Sequence, residues 1–458
     1  MNLPDSAGPT PPGRPGPTQP GRLALLLSSL TVDFLYFLAT PLLLALLILA
    51  SRAFTRPKLG RGLLRKFGLG LKARDGSSPL LWIHAVSVGE VNTAVPLVEA
   101  LRRRSPEREI CVSVSTFTGF TVAEKRLRGV SVIYAPLDFS FVVNKFLRSL
   151  KPQALVLIEL ELWPNLLLCA RRKGIAVLVA NGRLSERSAR RYQWGRGLTR
   201  RLFNLPTAFG AQSEACRERF LSVGVEPAKV RTLGNLKHDR EPSPLVARAP
   251  GIRQRLGWKP GETLVLVGGS THPGEESTLL AVYGRLRVRW PQLRLVLAPR
   301  HVERLEGAEL SQWGATEPIT RWSSIRDGSE ISPVGGILCV DTVGELEIFY
   351  AVADIVFVGG SLIPHGGQNL LEPARLCKPV LFGPSFHNFE MEGHLLLEAG
   401  AAVCVENAAE LESRLAELLA DVKESERLSR SARSVTERLG GAAVRHVEWI
   451  ELFFPKTA

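Results

Sequence analysis

Three glutamates and a lysine between residues 90 and 237 have types and positions suited to acid–base chemistry. Glu90 closes the motif HAVSVGE directly after the apolar run LLWIHAVS, where a turn alone would not require an acid. Glu159 and Glu161 follow ALVLI in the motif ELELWPN, and two residues of spacing puts them on one face of a continuing strand. Such a pair repels unless something separates or neutralises it. Lys237 in GNLKHD lies just before the predicted linker, at the mouth of the expected cleft, although a single lysine is usually a solvated surface charge. A carboxylate at a buried strand end can serve as a general base, or it can be purely structural.

Polar residues also follow apolar runs in the second half. VGGSTHPGEE (267–276) could present the backbone N–H groups of residues 268–271 to a phosphate, although a simple helix cap explains the same residues. APRH places Arg300 at a strand end, where a guanidinium can hold a phosphate or a carboxylate. DTVGELEIFY places Gly344 and Glu345 at the start of a helix.

The stretch 358–384, VGGSLIPHGGQNLLEPARLCKPVLFGP, is the most informative one in the second half. A glycine-rich loop runs into a helix whose beginning carries Asn369 and Glu372. A glutamate near a helix start is often only a cap, but an acidic residue in a nucleotide-binding α/β fold can also accept the ribose hydroxyls. The combination of loop, amide and acid favours a nucleotide site. The absence of GxxxxGK[ST] from the sequence disfavours an ATPase.

These motifs require strands and helices to position them. Apolar runs alternate with helical patterns such as 93–104 and 141–150, which is typical of parallel sheets covered on both faces. We therefore predict two doubly wound, Rossmann-like α/β domains of similar size, with ligands at the carboxyl ends of the strands and a cleft where the domains face each other. The linker is the Pro-containing stretch 239–250, so the domains cover residues 51–240 and 241–458. Strands are predicted at 80–87, 109–116, 130–138, 154–163, 175–182, 263–270, 293–300, 336–342, 354–361, 379–385 and 401–406.

Composition limits the classes of partner. The 458 residues carry a net charge of +14, which calls for an anionic neighbour such as nucleic acid, a membrane surface or a phosphorylated substrate. The six cysteines are far apart, without a CxxC pair or nearby histidines, so we expect neither a zinc site nor a disulfide framework. No metal site and no cofactor are predicted.

An apolar segment near the N-terminus predicts a membrane anchor. Residues 23–50 contain one charge, Asp33, and exceed the ~20 residues that cross a bilayer. The basic residues that follow, from Arg52 to Lys66, predict that the large C-terminal part stays on the cytoplasmic side. Asp33 and Pro41 also allow a tilted or partly embedded anchor. Residues 1–22 are rich in Pro, Gly and Thr and are predicted to be a disordered tail.

Taken together and in order, HAVSVGE, ELELWPN, ANGRLSERS, GNLKHD, GGSTHPGEE, APRH and NLLEP resemble the motifs of bacterial 3-deoxy-D-manno-octulosonic acid (Kdo) transferases. The resemblance covers nearly the whole chain after the anchor. It implies a glycosyltransferase-B fold, CMP-Kdo as the donor, a lipid A precursor (lipid IVA) as the acceptor, and a place at the inner membrane in lipopolysaccharide core synthesis. The anionic partners are then the acceptor phosphates and the membrane surface, and no nucleic acid partner is expected.

The resemblance also implies roles for individual residues. Glu90 corresponds to the proton acceptor, and Glu159 and Lys237 to groups that stabilise the transition state. The choice between Glu159 and Glu161 stays open. We predict that Glu90 removes the proton from the attacking hydroxyl, because an alcohol at neutral pH is a poor nucleophile. The attack is predicted to be a single displacement, so the anomeric configuration inverts. The implied CMP contacts are Pro299, Arg300, Val343, Gly344, Glu345, Asn369, Leu370, Leu371 and Glu372.

The sequence departs from the family pattern at Gln368 and Leu370, where HNPLEP has His and Pro. Two other classes of function remain as alternatives. One is a different two-domain nucleotide-sugar enzyme, such as a UDP-sugar transferase or an epimerase. The other is a membrane-tethered binding protein without catalysis, against which the acidic residues and Lys237 argue. Thermal protection of the protein by CMP, rather than by UDP, would distinguish a Kdo transferase from the first alternative.

Overall fold

The computed structural model describes residues 22–51, 62–76, 78–239, 244–305, 313–315, 317–326 and 335–454. The chain divides into two compact units. The first comprises Met1–Arg240 and Gly440–Ala458, and the second comprises Glu241–Leu439. The tail predicted for residues 1–22 lies, apart from Arg22, outside the described residues.

The first unit contains a seven-stranded parallel sheet. Its strands are β1 (Leu80–His84), β2 (Glu109–Val114), β3 (Ser131–Tyr134), β4 (Ala154–Ile158), β5 (Ala176–Gly182), β6 (Ala208–Ala211) and β7 (Val230–Thr232). Their order is β3-β2-β1-β4-β5-β6-β7. The order reverses between β1 and β4, which pair in parallel, so loops that follow these two strands flank the switch point where such folds bind ligands.

Helices cover both faces of this sheet. They are α1 (Arg22–Ser51), α2 (Leu63–Lys66), α3 (Val88–Arg104), α4 (Phe117–Arg126), α5 (Ser140–Leu150), α6 (Pro164–Arg172), α7 (Glu186–Trp194), α8 (Arg196–Phe203) and α9 (Glu214–Ser222). One core lies between the sheet and α3 and α4, and the other lies between the sheet and α5, α6 and α9. Because both faces are covered, β1 and β4 are buried at every residue, as their uninterrupted apolar runs predict.

The second unit repeats this architecture. Its strands are β8 (Leu264–Thr271), β9 (Leu293–Pro299), β10 (Ile319–Arg321), β11 (Ile337–Cys339), β12 (Ile355–Val358), β13 (Val380–Phe382) and β14 (Ala402–Cys404), in the order β10-β11-β9-β8-β12-β13-β14. The order reverses between β8 and β12. The helices are α10 (Ala249–Arg255), α11 (Glu275–Arg289), α12 (Trp322–Ile325), α13 (Leu346–Val352), α14 (Leu371–Arg375), α15 (Glu390–Glu398), α16 (Ala408–Ala420) and α17 (Val422–Leu439).

The C-terminal segment belongs to the first unit, so the prediction that the second domain includes all of 241–458 was wrong. Residues 440–458 group with the first unit, and they contain the last helix, α18 (Ala442–Glu451). Val447, Trp449 and Ile450 are buried in the core that covers α3. The buried His446 ring accepts a hydrogen bond from the backbone N–H of Asn181 at 3.0 Å through its Nε2. Apolar burial and this hydrogen bond hold the segment on the first unit.

Helix α1 packs against α6 and α5 through residues spaced four apart, Leu25, Ser29 and Asp33. Asp33 is buried and accepts hydrogen bonds from the Ser140 backbone N–H at 2.8 Å and from Asn165 Nδ2 at 2.9 Å. The single charge in the apolar segment therefore has partners within the protein. Among the residues that the structure describes, no helix is both long and apolar enough to span a bilayer.

Candidate active site

Glu90 lies in the first turn of α3 rather than at the end of a strand. β1 ends at His84, and Ser87 caps the helix by accepting a hydrogen bond from the Glu90 N–H at 3.5 Å. The Glu90 carboxylate accepts hydrogen bonds from the Val86 N–H at 2.6 Å and from the Ser87 hydroxyl at 3.1 Å. This is a form of the capping box, which the sequence Ser-Val-Gly-Glu specifies. The prediction that Glu90 closes the strand itself was wrong, because this cap starts the helix first.

Burial changes the proton affinity of Glu90. The residue is 9% exposed. Burial raises the pKa of its carboxyl group from 4.5 to about 7; the charges of Glu161 and Glu159 also raise it, and the hydrogen bonds from Val86 and Ser87 oppose them. A carboxylate whose pKa lies near neutral pH is suited to general base catalysis. The same side chain thus caps a helix and can accept a proton.

Glu159 follows β4 and pairs with Lys237. The Lys237 Nζ lies 2.8 Å from the Glu159 Oε1, and both side chains are partly exposed. Glu159 has a φ of +63°, an uncommon conformation for a residue other than glycine. β4 ends at Ile158, so the expectation that Glu159 and Glu161 share one face of a continuing strand was wrong. The backbone turns at Glu159 and directs its carboxylate to the lysine.

Glu161 remains close enough to the other carboxylates for their charges to interact. Burial raises the pKa of Glu161, a hydrogen bond from the Trp163 indole N–H at 2.8 Å lowers it, and the charge of Glu159 raises it. The structure therefore brings Glu90, Glu159, Glu161 and Lys237 to one end of the sheet, beside the switch point. Of the two acids in ELELWPN, Glu159 holds the lysine and Glu161 holds the tryptophan.

A buried asparagine positions the lysine, and the sequence analysis did not give it this role. Asn181 is completely buried and has a φ of +54°. Its Oδ1 accepts a hydrogen bond at 2.9 Å from the N–H of Leu236, the first residue of the 3-10 turn Leu236–Asp239. The Lys237 N–H donates to Asn235 Oδ1 at 3.1 Å. The ANGRLSERS motif thus holds the GNLKHD turn in place. The hydrogen bond joins residues 55 positions apart, which no local pattern reveals.

In the second unit, the predicted nucleotide contacts follow β9, β11 and β12. Pro299 ends β9, and the exposed Arg300 follows it, with its backbone N–H bonded to the Thr271 carbonyl at 2.9 Å. After β11, Val343 is exposed and Gly344 has a φ of +90°. Parallel neighbours place these residues at the carboxyl end of the second sheet.

Glu345 has protein partners in this arrangement. Its Oε2 accepts hydrogen bonds from the Thr342 hydroxyl at 2.5 Å and from the Trp322 indole N–H at 3.1 Å. Arg326 lies 3.7 Å from the same oxygen. These contacts fix the carboxylate at the start of α13. Glu345 therefore shapes the loop that carries Val343 and Gly344.

The NLLEP motif has two kinds of side chain. Asn369 Nδ2 donates to Glu372 Oε1 at 3.2 Å, so the amide and the acid form one polar pair. Leu370 and Leu371 are buried in the core of the unit, and only their backbone is available to a ligand. Burial raises the pKa of the neighbouring Tyr350 well above its ordinary value, and the charge of Glu372 raises it further. Asn369 and Glu372 are therefore the polar side chains that this motif contributes.

The GGSTHPGEE motif serves a structural purpose that its sequence does not reveal. Residues 268–271 belong to β8, and a Cβ atom at Gly269 would lie 2.2 Å from the Tyr350 hydroxyl, so close packing requires glycine there. Neither the phosphate loop nor the Ser/Thr cap forms, because α11 starts only after Gly274. The buried Glu275 instead accepts hydrogen bonds from the N–H groups of His272, Gly360, Ser361 and Leu362. It joins the loop after β8 to the loop after β12.

Three histidines lie together on these loops. The ring of His272 lies 4.0 Å from that of His365 and 5.7 Å from that of His301, measured between centroids. Gln368, which departs from the family pattern, places its Nε2 3.3 Å from His272 Nε2. Burial lowers the pKa of His272, and the charge of His365 lowers it further. Within the described residues, no group of three or more His, Cys, Asp and Glu side chains is arranged to hold a metal ion.

The chain has two Rossmann-like domains with polar loops at the carboxyl ends of their strands. This architecture is glycosyltransferase-B-like. A glycosyltransferase from Rickettsia africae covers 83% of this chain and is itself covered completely, with a TM-score of 0.52 and 10% identity. UDP-GlcNAc 2-epimerase from Neisseria meningitidis covers 82%, with its whole chain matched, a TM-score of 0.55 and 13% identity. At these identities the likeness shows the fold alone.

Sequence comparison gives the family. Residues 61–240 match the family model of 3-deoxy-D-manno-octulosonic-acid transferases. The 3-deoxy-D-manno-octulosonic acid transferase of Haemophilus influenzae is 31% identical over 426 residues, which are 92% of this chain and 98% of the relative. The chain belongs to the Kdo transferase family, and it is a glycosyltransferase.

Proposed function

We propose that the protein transfers Kdo from CMP-Kdo to a lipid A precursor, with inversion at the anomeric carbon. The observation that carries the proposal is Glu90, a buried carboxylate with a pKa raised to about 7 beside Glu159, Glu161 and Lys237. Its position at the switch point of the first sheet suits a ligand-binding edge. Membership of the Kdo transferase family supplies the sugar.

In this mechanism, Glu90 accepts the proton of the acceptor hydroxyl as its oxygen forms a bond to the anomeric carbon of Kdo. The bond between that carbon and the phosphate oxygen breaks, and CMP leaves with the electron pair. One displacement on the face opposite the leaving group inverts the configuration. Lys237, held by Glu159, supplies positive charge where negative charge develops in the transition state.

The second domain is proposed to bind CMP-Kdo. Arg300 would neutralise the nucleotide phosphate, because its guanidinium is exposed at the carboxyl end of β9. The Asn369–Glu372 pair would accept the ribose hydroxyls. Pro299, Val343, Gly344 and the backbone of residues 370–371 would contribute contact surface, with Glu345 holding the loop.

The acceptor implies a membrane location. We propose that residues 23–50 anchor the chain in the inner membrane, with both domains on the cytoplasmic side. The apolar segment and the basic residues after it support this placement. Anionic lipid attracts cationic side chains near its surface by about 1 kcal/mol each, and the net charge of +14 provides many.

The test is to incubate the full-length protein with CMP-Kdo and a tetraacylated, bisphosphorylated lipid A precursor and to determine the product mass. An added Kdo, with the opposite anomeric configuration by NMR, is expected, and Glu90→Gln should form almost none. The alternative is a different two-domain nucleotide-sugar enzyme that uses a UDP-sugar. Thermal protection by UDP but not by CMP, with no Kdo added, would contradict the proposal.

A further inference from the structure

A small cavity lies beside the candidate base cluster in the first unit. Its volume is about 250 Å³, below the ~300–1,000 Å³ of pockets that enclose a whole small-molecule ligand. Glu161 is its one carboxylate, so the cavity adjoins the candidate site. Four aromatic residues, three leucines and a proline line the rest: Tyr36, Trp163, Tyr192, Phe203, Leu160, Leu162, Leu202 and Pro164. A cavity of this size and lining suits an apolar part of a larger substrate.

An exposed apolar surface reaches this cavity along α1. Tyr36 lines the cavity, and its neighbours Phe34 and Phe37 are exposed. Phe37 and Tyr36 contact Phe139, whose ring lies 5.9 Å from the exposed Phe141. Exposed aromatic residues that continue into a cavity are unusual on a protein that meets only water. This continuity indicates an occupant that arrives from an apolar environment.

Cationic side chains lie on the helix that forms another wall of the cavity. Tyr192 belongs to α7, and the same helix carries Arg187, Arg190 and Arg191. These arginines and Trp194, which is 95% exposed, line an open depression of about 690 Å³. Arg190 is paired with Glu186, whereas among the described residues no carboxylate lies within 4.0 Å of the Arg187 or Arg191 guanidinium. Guanidinium groups are well matched to phosphate.

We propose that the cavity receives an acyl chain of the phosphorylated glycolipid acceptor, and that Arg187 and Arg191 bind one of its phosphates. This inference rests on the proposed function, because it names how that acceptor is held. An anionic amphiphile matches both halves of the surface: the apolar chain lies between α1, the ELELWPN loop and α8, and the head group lies on α7. The glycosyl-accepting end is then directed to the edge that carries Glu161 and Glu90.

The test compares two acceptors with the full-length protein in the same detergent: the tetraacylated, bisphosphorylated lipid A precursor and its fully deacylated form. Leu202→Trp fills the cavity, and the matched control Val288→Trp alters an exposed valine of α11 in the other unit. We expect Leu202→Trp to lower the preference for the acylated acceptor, as a ratio of kcat/KM, by about tenfold, which is the loss of burial of roughly two methylenes. The control should keep the wild-type ratio.

The arginines are tested by Arg187→Ala combined with Arg191→Ala, against Arg430→Ala with Arg433→Ala on α17. The first pair should raise the KM for the bisphosphorylated acceptor at least about tenfold with little change in kcat, as expected for a lost charged contact. A monophosphorylated acceptor that is affected equally would overturn the phosphate assignment. The control pair should change neither constant.

A probe of the wild-type protein keeps the inference testable if Leu202→Trp does not fold. Dodecyl phosphate, below its micelle-forming concentration, should compete with the acylated acceptor at about tenfold lower concentration than inorganic phosphate, and it should not compete with CMP-Kdo. The acyl-chain site would be overturned if Leu202→Trp lowered kcat/KM equally for both acceptors. Equal inhibition by dodecyl phosphate and inorganic phosphate would also overturn it. Absence of Kdo transfer to either acceptor by the wild type would instead refute the proposed function.

Discussion

The side-chain nitrogen of Lys237 lies 2.8 Å from a carboxylate oxygen of Glu159, a residue 78 positions earlier in the chain. This ion pair joins the loop after β4 to the 3-10 turn Leu236–Asp239. It also compensates one of the negative charges that act on Glu90. The pair therefore links charge stabilisation to the proton affinity of the candidate base.

Removal of the lysine should impair transfer in a way that depends on Glu159. Lys237→Ala is expected to lower kcat about 10²- to 10³-fold, because a charge aimed at the transition state is lost. Adding Glu159→Gln to Lys237→Ala should lower kcat only slightly further, since the two residues act as a pair. The measurement is a double-mutant cycle on kcat. Fully additive losses would show that the two residues work independently.

Glu90→Gln should abolish basicity while keeping the helix cap. The amide oxygen can still accept a hydrogen bond from the Val86 N–H, so the melting temperature and CMP affinity should change little. Turnover is expected to fall about 10²- to 10⁴-fold, the usual contribution of a general base. Single-turnover kinetics measure it. Near-normal turnover would transfer the role to Glu159 or Glu161, and unfolding would show that the carboxylate is structural.

The pH dependence follows from the raised pKa of Glu90. The base must be deprotonated, so kcat/KM should rise with pH, with a midpoint near pH 7 and a plateau above it. Glu90→Gln should lack that rise. The stability effect has the opposite sign. Because the pKa is higher in the folded state than the ordinary 4.5, the folded state binds more protons between these values, and the contribution of Glu90 to stability falls as pH rises from about 4.5 to 7. A wild-type profile without a limb near 7 would contradict this assignment.

Two substitutions in the second domain should weaken nucleotide binding without unfolding it. Arg300→Ala and Glu372→Ala each remove a charged group from the carboxyl end of the sheet. Loss of one charge-assisted hydrogen bond costs ~1.5–3 kcal/mol, which is at least about tenfold in CMP affinity. Calorimetric titration with CMP measures it, with Arg430→Ala on the exposed face of α17 as the control. Unchanged affinity in both variants would refute the nucleotide placement.

Asp33 should contribute to stability through its contacts with α5 and α6. Asp33→Ala leaves the Ser140 N–H without its carboxylate acceptor, at a cost of ~1–3 kcal/mol for the buried group left unsatisfied, while Asn165 Nδ2 keeps its bond to the Asp138 carbonyl. Thermal unfolding in detergent measures this. Thr31→Ala on the exposed side of the same helix is the control and should be nearly neutral. Equal melting temperatures for the two variants would show that α1 is not held by Asp33.

The sequence predicts those features that depend on local pattern. The uninterrupted apolar runs identify β1 and β4 because strands buried on both faces need no polar residues. The short strands β6, β7 and β10 were missed, since three or four residues carry too little pattern. The cap formed by Ser87 and Glu90 was readable as S-x-x-E and was overlooked.

Other features depend on contacts between distant residues, and no local signal specifies them. Glu275 accepts hydrogen bonds from residues 85 to 87 positions later, and Asn181 holds the turn that carries Lys237. The positive φ of Glu159 is imposed by the loop and not by the residue type. The candidate site residues could be proposed from the sequence because they follow apolar strand patterns, whereas the residues that hold them in place carry no such signal.

The return of residues 440–458 to the first unit has a consequence during synthesis of the protein. A chain leaves the ribosome from its N-terminus, and domains generally fold in that order. Here β1 to β7 are all synthesised before Val447, Trp449 and Ile450, which cover α3. The nascent first domain therefore keeps an apolar surface uncovered while the whole second domain is translated. The domain whose synthesis begins first is therefore completed last. During that interval its apolar surface must be kept from contact with other nascent chains, for example by a chaperone.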